Sequence, residues 1–321
     1  NSYNALLDLN GDSMPDTLDS TTLTVRINKA LKTDLLAQVT TPMGAKTTYG
    51  YKATTQYRDG SGAMLNPHLQ YPLLTVNTVV VNDGFGNLAT TTYEYKDGVN
   101  YYASAFDHQL GGFGQVTKTD PLGNVTKTYF HTGEGTDAAH GEYADSRYKI
   151  GKAYRVEMYD GANRLYAKNI YKWDSSSLGP NAAFVYLAQS VDSSYEGGAT
   201  HKDSAEQYTY DSTTGNLTLK TQYGQVNGND DGTFSDIGSD LVSTIYTYAT
   251  NGSATGFLAS ALVQDQSNTK AREVRYYYDN LPLGSVSIGN QTKQEDWIVG
   301  STYASTTKTY GSYGFVVRST N

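Results

Sequence analysis

The chain contains no cysteine, so disulfide bonds and thiolate metal sites are excluded. It has only 4 methionines, 2 tryptophans and 7 prolines, and charged residues make up 17% of its 321 positions. No apolar run approaches the roughly 18 residues that a membrane-spanning helix needs. We therefore predict no membrane-spanning segment.

Basic residues are fewer than acidic ones, 24 against 32, so the formal net charge is −8. A nucleic-acid-binding surface needs clustered lysine and arginine to displace the counterions of the phosphate backbone. We therefore expect no nucleic-acid partner.

Tyrosine and glycine are abundant instead, with 29 tyrosines against 8 phenylalanines, and 32 glycines. Tyrosine suits half-buried pleated strands, and glycine suits the tight turns that join them. This composition predicts an all-β protein made of successive antiparallel hairpins.

The clearest hairpin lies at residues 208–223. Tyr208 and Tyr210 are two apart and share a strand face, and Leu217 and Leu219 restore the period of two on the returning strand. Residues 211–216 between them carry turn chemistry, because Asp bonds its own backbone and Gly and Asn tolerate positive φ.

This pattern recurs along the chain at uneven spacing, as a degenerate repeat. Related turns, tyrosine pairs and glycines occur at 83–95, 120–129, 159–165, 246–258 and 276–284. Hairpins of this kind can pair edge to edge into one long curved or spiral sheet.

The Tyr-x-Tyr-Asp-x-x-x-Gly-Asn-Leu form at 208–217 resembles the YD repeat of Rhs and related polymorphic toxins. Residues 39–173 resemble the middle region of the B component of bacterial Tc insecticidal toxin complexes and of SpvB-like proteins. The matching stretches are 41–51, 71–76, 79–87, 111–120 and 151–160. One departure is His108-Gln-Leu110, where the family usually has an Arg-Glu-Phe-like run.

The resemblance implies a hollow YD-repeat shell, secreted or at the bacterial surface, that encloses a C-terminal toxic domain or contacts other toxin-complex subunits. The family's self-cleaving aspartate region has no counterpart that we can identify in this chain. We therefore expect a non-catalytic structural segment of a longer toxin.

The N-terminal loop Asp8–Asp16 has the spacing of a calcium loop. Oxygen ligands at relative positions 1, 3, 5, 7 and 9 would come from the side chains of Asp8, Asn10, Asp12 and Asp16 and the carbonyl of Met14. The loop resembles those of FG-GAP and VCBS propeller blades. We predict a structural calcium site here; a metal-free acidic turn is the alternative.

We accordingly predict two regions, a calcium-loop segment at 1–30 and a repeat shell at 31–321. Long polar stretches at 55–70, 96–110, 132–148, 174–182, 193–204 and 226–240 are interpreted as loops between hairpins.

Other candidate sites are weaker. Residues 131–142 gather two histidines and two glutamates, His131, Glu134, His140 and Glu142, without the helical spacing of a zinc site, so a solvent-facing loop is the favoured interpretation. Residues 227–236 are interpreted as an exposed turn, and His68, His108 and His201 as surface residues. No Gly-x-Ser-x-Gly elbow is present, and the glycine clusters at 84–86 and 111–114 make no phosphate cradle.

Two further functions stay open at this stage. One is an extracellular adhesin that binds glycan or protein through tyrosine-rich sheet faces or loops. The other is a glycan-cleaving enzyme, which would need two carboxylates roughly 5 to 10 Å apart in a groove.

Overall fold

A computed structural model describes residues 4–19, 21–29, 34–69, 71–252 and 254–321. Within these ranges nearly every element is a β-strand, and helix is limited to short 3₁₀ turns at Thr54–Gln56, Ala138–His140 and Arg147–Lys149. The all-β prediction is confirmed. No helix in these ranges has the length and apolar character needed to cross a membrane.

The chain divides into two compact units, which we call the first unit (1–169 with 194–201) and the second unit (170–193 with 202–321). The strands of the first unit are β1 (Asn4–Leu7), β2 (Asp16–Asp19), β3 (Thr24–Arg26), β4 (Gln38–Thr40), β5 (Lys46–Ala53), β6 (Leu74–Asn82), β7 (Leu88–Ser104), β8 (Asp107–Thr119), β9 (Val125–Phe130) and β10 (Ala153–Tyr159).

Strands of the first unit pair antiparallel with their neighbours in sequence. Strands β1, β2 and β3 form a separate three-stranded sheet. Strands β4 to β10 pair successively, each with the next. The separate small sheet covers most of the predicted calcium-loop segment, whose boundary at residue 30 stays a prediction.

Two strands, β11 (Leu165–Gly179) and β12 (Ala182–Ser194), straddle the division between the units. The remaining strands of the second unit are β13 (Lys202–Tyr210), β14 (Leu217–Gly228), β15 (Phe234–Asp236), β16 (Val242–Ala249), β17 (Phe257–Asp265), β18 (Lys270–Tyr278), β19 (Gln291–Val299), β20 (Thr302–Tyr310) and β21 (Val316–Thr320).

In the second unit β13 pairs with β14, and β14 pairs with both the short β15 and with β16. From β16 to β21 each strand pairs antiparallel with the next. The hairpin predicted at 208–223 is present, with Tyr210 opposite Leu217.

Two of the predicted loops are in fact strand. Residues 96–110 belong largely to the long hairpin of β7 and β8, and residues 174–182 belong largely to β11 and β12. Residues 96–110 mix Val99, Tyr101 and Tyr102 with polar residues, and residues 174–182 are mostly polar, so neither stretch shows the clean apolar alternation by which half-buried strands are recognised. Backbone pairing across the hairpin, as between Tyr101 and Gln109, makes them strands regardless.

Several hairpin turns share one construction. In the turn 120–124, a carboxylate oxygen of Asp120 accepts hydrogen bonds from the amides of Leu122 and Asn124, both at 2.8 Å. Gly123 sits at φ +84°, where a residue with a Cβ is strained. The turns at 59–63, 83–87, 160–164 and 265–269 repeat these hydrogen bonds, with glycine at the position of positive φ in the first two and asparagine in the last two.

Three tyrosine hydroxyl groups form hydrogen bonds to the main chain near the ends of hairpins in the second unit. The hydroxyl groups of Tyr248, Tyr278 and Tyr310 each donate to a main-chain carbonyl at the beginning of a paired strand, at 2.9 Å in every case. The acceptors are Leu217, Leu258 and Gln291 respectively. We call these bonds tyrosine clasps; each satisfies a carbonyl where the strand ladder begins.

Apolar packing is spread over small clusters. One cluster in the second unit joins Val191, Ala205 and Val226, flanked by Tyr223 and Phe234. Another joins Ala249, Ala259 and Val286. In the first unit the ring of Tyr95 lies 5.8 Å from that of Tyr57 and 4.9 Å from that of Phe113, measured between centroids.

Candidate functional site

The predicted calcium loop folds around its own amides. The two carboxylate oxygens of Asp8 accept hydrogen bonds from the amides of Asp12 (3.0 Å) and Ser13 (2.8 Å). Asp12 in turn accepts from the amide of Met14 at 2.8 Å and from the side chain of Asn10 at 2.9 Å. These contacts bring Asp8, Asn10, Asp12 and Met14 into one compact turn.

Asp16, the last predicted ligand, is fully buried. Its carboxylate accepts the amide of Leu9 at 2.9 Å and that of Asn28 at 2.7 Å, which ties the loop to the end of β3. A structural role for Asp16 follows from these two bonds, whereas calcium binding by the loop stays a prediction.

The loop 131–152, which joins β9 to β10, holds a different site. The sequence favoured a solvent-facing loop, and this is wrong for His131 and Glu142, whose side chains are 0% and 6% exposed. It is right for His140, whose side chain is 53% exposed and pairs with Asp137. The two histidines therefore do not converge.

His131 instead meets two carboxylates. Its Nδ1 lies 2.9 Å from Oε1 of Glu142 and 3.1 Å from Oδ1 of Asp145. The Asp145 side chain is also 0% exposed. Asp145 was not among the sequence-predicted candidates, because only the folding of the loop brings it opposite His131.

Backbone pairing fixes the position of His131. Its amide donates to the carbonyl of Lys152, and its carbonyl accepts from the amide of Gly151, both at 3.0 Å. These bonds continue the ladder between β9 and β10 by one residue. The imidazole is thus held on the sheet while the rest of the loop closes over it.

Main-chain amides orient the carboxylates. The second oxygen of Glu142 accepts the amide of Asp137 at 2.6 Å. Asp145 accepts the amides of Gly133 at 2.7 Å and Ser146 at 2.8 Å. Both acids are therefore fixed by bonds that do not depend on His131.

Lys149 supports the same loop from within. It is 1% exposed, and its ammonium group donates to the carbonyls of Tyr143 and Ala144, both at 2.8 Å. These carbonyls lie between Glu142 and Asp145 in sequence, so Lys149 holds the segment that carries both acids.

The pKa values of His131 and Asp145 are both shifted by their contact with each other. Burial opposes a charged imidazole, but the hydrogen bonds that His131 donates to Asp145 and Glu142 outweigh it and raise the pKa of His131. Burial likewise opposes a charged Asp145, yet its bonds to His131 and to backbone amides hold its pKa below the usual range. The ring nitrogen Nε2 of His131 is buried and has no hydrogen-bond partner in the described residues.

A cavity of about 400 Å³ adjoins this site. Glu142, Tyr129 and Tyr154 line it, together with Asp137 and the exposed His140. Both oxygens of Glu142 are already engaged, by His131 and by the Asp137 amide. Glu142 is therefore a poor candidate for the free acid that a glycan-cleaving pair would need.

The other candidates from the sequence lie at the surface or in a turn. His68, His108 and His201 are exposed, as expected. Residues 229–233 form a turn in which Asp231 accepts the amide of Thr233 at 2.9 Å, in agreement with the exposed turn predicted there.

Comparison with known proteins supports the sequence resemblance. Residues 3–141 match the family described as the insecticide toxin TcdB middle/N-terminal region. No curated protein matches the chain.

Among solved structures, TcdB2-TccC3 without its hypervariable C-terminal region superposes with a TM-score of 0.70 at 15% identity. The match covers 92% of this chain and 20% of that one, so this chain spans about a fifth of the solved protein. A porin-like protein from Bacteroides uniformis overlaps at a TM-score of only 0.28 and 13% identity, covering 84% of this chain and 90% of that one, and supports no conclusion.

The likeness to TcdB2-TccC3 establishes the fold over most of the chain, and the family match locates the middle-region sequence within residues 3–141. This chain is therefore similar to the middle region of the B component of Tc toxins.

Proposed function

We propose that this chain is a non-catalytic wall segment of a secreted Tc-like toxin, and that the wall encloses a toxic domain of the same assembly. The observation that carries the proposal is the family match at residues 3–141 together with a fold shared with TcdB2-TccC3. Other toxin-complex subunits are its expected partners.

The physical construction of the chain supports a wall. Within each unit, hairpins pair with their neighbours in sequence order, so that β6 is paired on both edges by β5 and β7, and β19 by β18 and β20. Tyrosine clasps then link the hairpin ends in the second unit, as between Tyr278 and Leu258. A sheet built this way can extend by adding hairpins and needs no catalytic residue.

Electron microscopy of the full-length parent protein tests this function. We expect the hairpins to form a continuous wall around density that belongs to another part of the toxin. A solid sandwich, or a sheet that borders no enclosed volume, would exclude the enclosing role.

A second candidate is a binding module, and exposed apolar residues at hairpin tips favour it. Met43, Phe85 and Leu122 are 91%, 92% and 83% exposed, each in the middle of a turn of the first unit. The turns that carry Met43 and Phe85 are adjacent, because a Cβ on Gly84 would come within 3.3 Å of the Gly44 carbonyl carbon. These tips, more than the half-buried tyrosine faces, would contact a protein or cell surface.

Replacement of Met43, Phe85 and Leu122 by serine separates the two candidates. A binding module would lose attachment to cells while its urea unfolding midpoint stays unchanged. A wall segment would keep its assembly with the rest of the toxin in the same variant.

A further inference from the structure

We propose that His131, Glu142 and Asp145 form a binding site for a divalent metal ion of the zinc class. The site lies in the loop between β9 and β10 and is independent of the predicted calcium loop. In the described part of the chain, each of these three residues offers one potential ligand atom, and the three atoms lie within 4.8 Å of one another.

The two acids of this site need positive charge beside them. Buried charge is costly unless it is paired. When both are ionised, Glu142 and Asp145 carry two negative charges, which a protonated His131 and the buried ammonium of Lys149 in the same loop can offset. A divalent ion bound by Glu142, Asp145 and neutral His131 would replace the imidazolium as the partner of the two carboxylates.

The spacing of the ligand atoms suits a small ion. Zinc binds imidazole nitrogen and carboxylate oxygen at about 2.0 to 2.2 Å, which places tetrahedral ligands roughly 3.3 Å apart. Nδ1 of His131 lies 2.9 Å from the Glu142 oxygen and 3.1 Å from the Asp145 oxygen. These two distances are close to the spacing of tetrahedral ligands, and the ligand atoms of all three residues lie within 4.8 Å of one another, so the side chains would adjust when the ion binds.

The ligand types indicate which metal. Calcium and magnesium prefer sets made of oxygen atoms alone, and both ions keep higher coordination numbers. An imidazole nitrogen with two carboxylates suits zinc and its transition-metal neighbours.

The surroundings supply outer contacts for the two acids, whereas Nε2 of His131 is buried and has no outer partner in the described residues. Both carboxylates are oriented by main-chain amides, of Asp137 for Glu142 and of Gly133 for Asp145, and such outer contacts normally hold metal ligands in place. Glu142 also lines the adjoining cavity of about 400 Å³, so one of the three ligands borders open space, whereas His131 and Asp145 are not part of that lining.

The bound ion would fasten the loop to the sheet. His131 belongs to the β9–β10 ladder through its bonds to Gly151 and Lys152, whereas Glu142 and Asp145 lie in the part of the loop that closes over it. A metal that binds only the folded site stabilises it by mass action.

Zinc titration of the chelator-treated full chain by calorimetry tests the proposal. We expect one Zn²⁺ per chain, and at least about a 100-fold weaker affinity in both Glu142→Gln and Asp145→Asn. The matched control is His140→Gln, a histidine of the same loop that pairs with Asp137 and should leave zinc affinity unchanged.

Cobalt substitution gives a second readout on the unaltered chain, which avoids any folding defect of a variant. We expect visible absorption typical of tetrahedral Co²⁺ with nitrogen and oxygen ligands, displaced by zinc. The absence of stoichiometric zinc binding to the unaltered chain would overturn the proposal. So would zinc binding that survives Glu142→Gln or that is lost in His140→Gln.

Discussion

The hydroxyl of Tyr248 donates a hydrogen bond of 2.9 Å to the main-chain carbonyl of Leu217, a residue 31 positions earlier in the chain. Leu217 begins the returning strand of one hairpin repeat, and Tyr248 is the last residue but one of the first strand of the next. The bond therefore links consecutive repeats. Tyr278 with Leu258 and Tyr310 with Gln291 make the same link further along.

Removal of this clasp should destabilise the chain. Tyr248→Phe leaves the Leu217 carbonyl without its donor, and we expect a loss of about 1 kcal/mol in unfolding free energy. Urea denaturation measures the change. Tyr246→Phe is the control, because Tyr246 lies on the same strand and has no corresponding clasp; equal losses in both variants would contradict the role of the clasp.

The hairpin turns should depend on glycine at the position of positive φ. Gly123 has φ +84°, and Gly123→Ala should lower the unfolding free energy by about 1 kcal/mol through backbone strain. Gly60 serves as the control, because it lacks a positive φ and a Cβ there would meet no atom within 4 Å. Thermal unfolding compares the two, and a neutral Gly123→Ala would show that the turn relaxes without cost.

Acid should weaken the sheet through Glu273 on β18. Burial opposes ionisation of this carboxyl, but hydrogen bonds from Arg275, Lys270 and Tyr303 prevail and lower its pKa from 4.5 to about 2. A carboxyl with a depressed pKa contributes stability that is fully present above pH 4.5 and is lost as pH falls toward 2.

Glu273→Gln should therefore flatten the fall of the urea midpoint between pH 4.5 and pH 2, the window set by those two values. Replacement of the exposed Glu94 by glutamine removes the same formal charge and is the comparison. An unchanged slope in Glu273→Gln would mean that the ion pairs of Glu273 do not govern acid unfolding.

Calcium should stabilise the N-terminal segment if the loop Asp8–Asp16 binds it. Stabilisation reaches about 2.7 kcal/mol when free calcium is 100 times the dissociation constant. Asp12→Asn should reduce the calcium-dependent shift in melting temperature, because it removes one ligand charge while keeping the acceptor for the Met14 amide. Asp19→Asn lies just outside the loop and should keep the shift; a chain indifferent to calcium would leave the loop as an acidic turn.

The hairpins were predicted from the sequence because their strand and turn signals come from residues close together in the chain. Tyr208, Tyr210 and Leu217 alternate with a period of two, and Asp211 with Gly215 specifies the reversal between them. These signals act over a few residues, so they need no partner from elsewhere. Strand content at 96–110 escaped prediction, because residues such as Val99, Tyr101 and Tyr102 do not alternate cleanly with polar ones, so no period of two reveals the strand.

Tertiary structure alone decided which distant groups meet. The sequence placed His131, His140 and Glu142 in one loop, but the path of that loop selects Asp145 in place of His140 as the neighbour of His131. The clasp between Tyr248 and Leu217 arises in the same way, through the pairing of β14 with β16. The all-β hairpin repeat and its turns follow from short-range sequence patterns, whereas the buried site and the links between repeats depend on contacts that only the folded sheet creates.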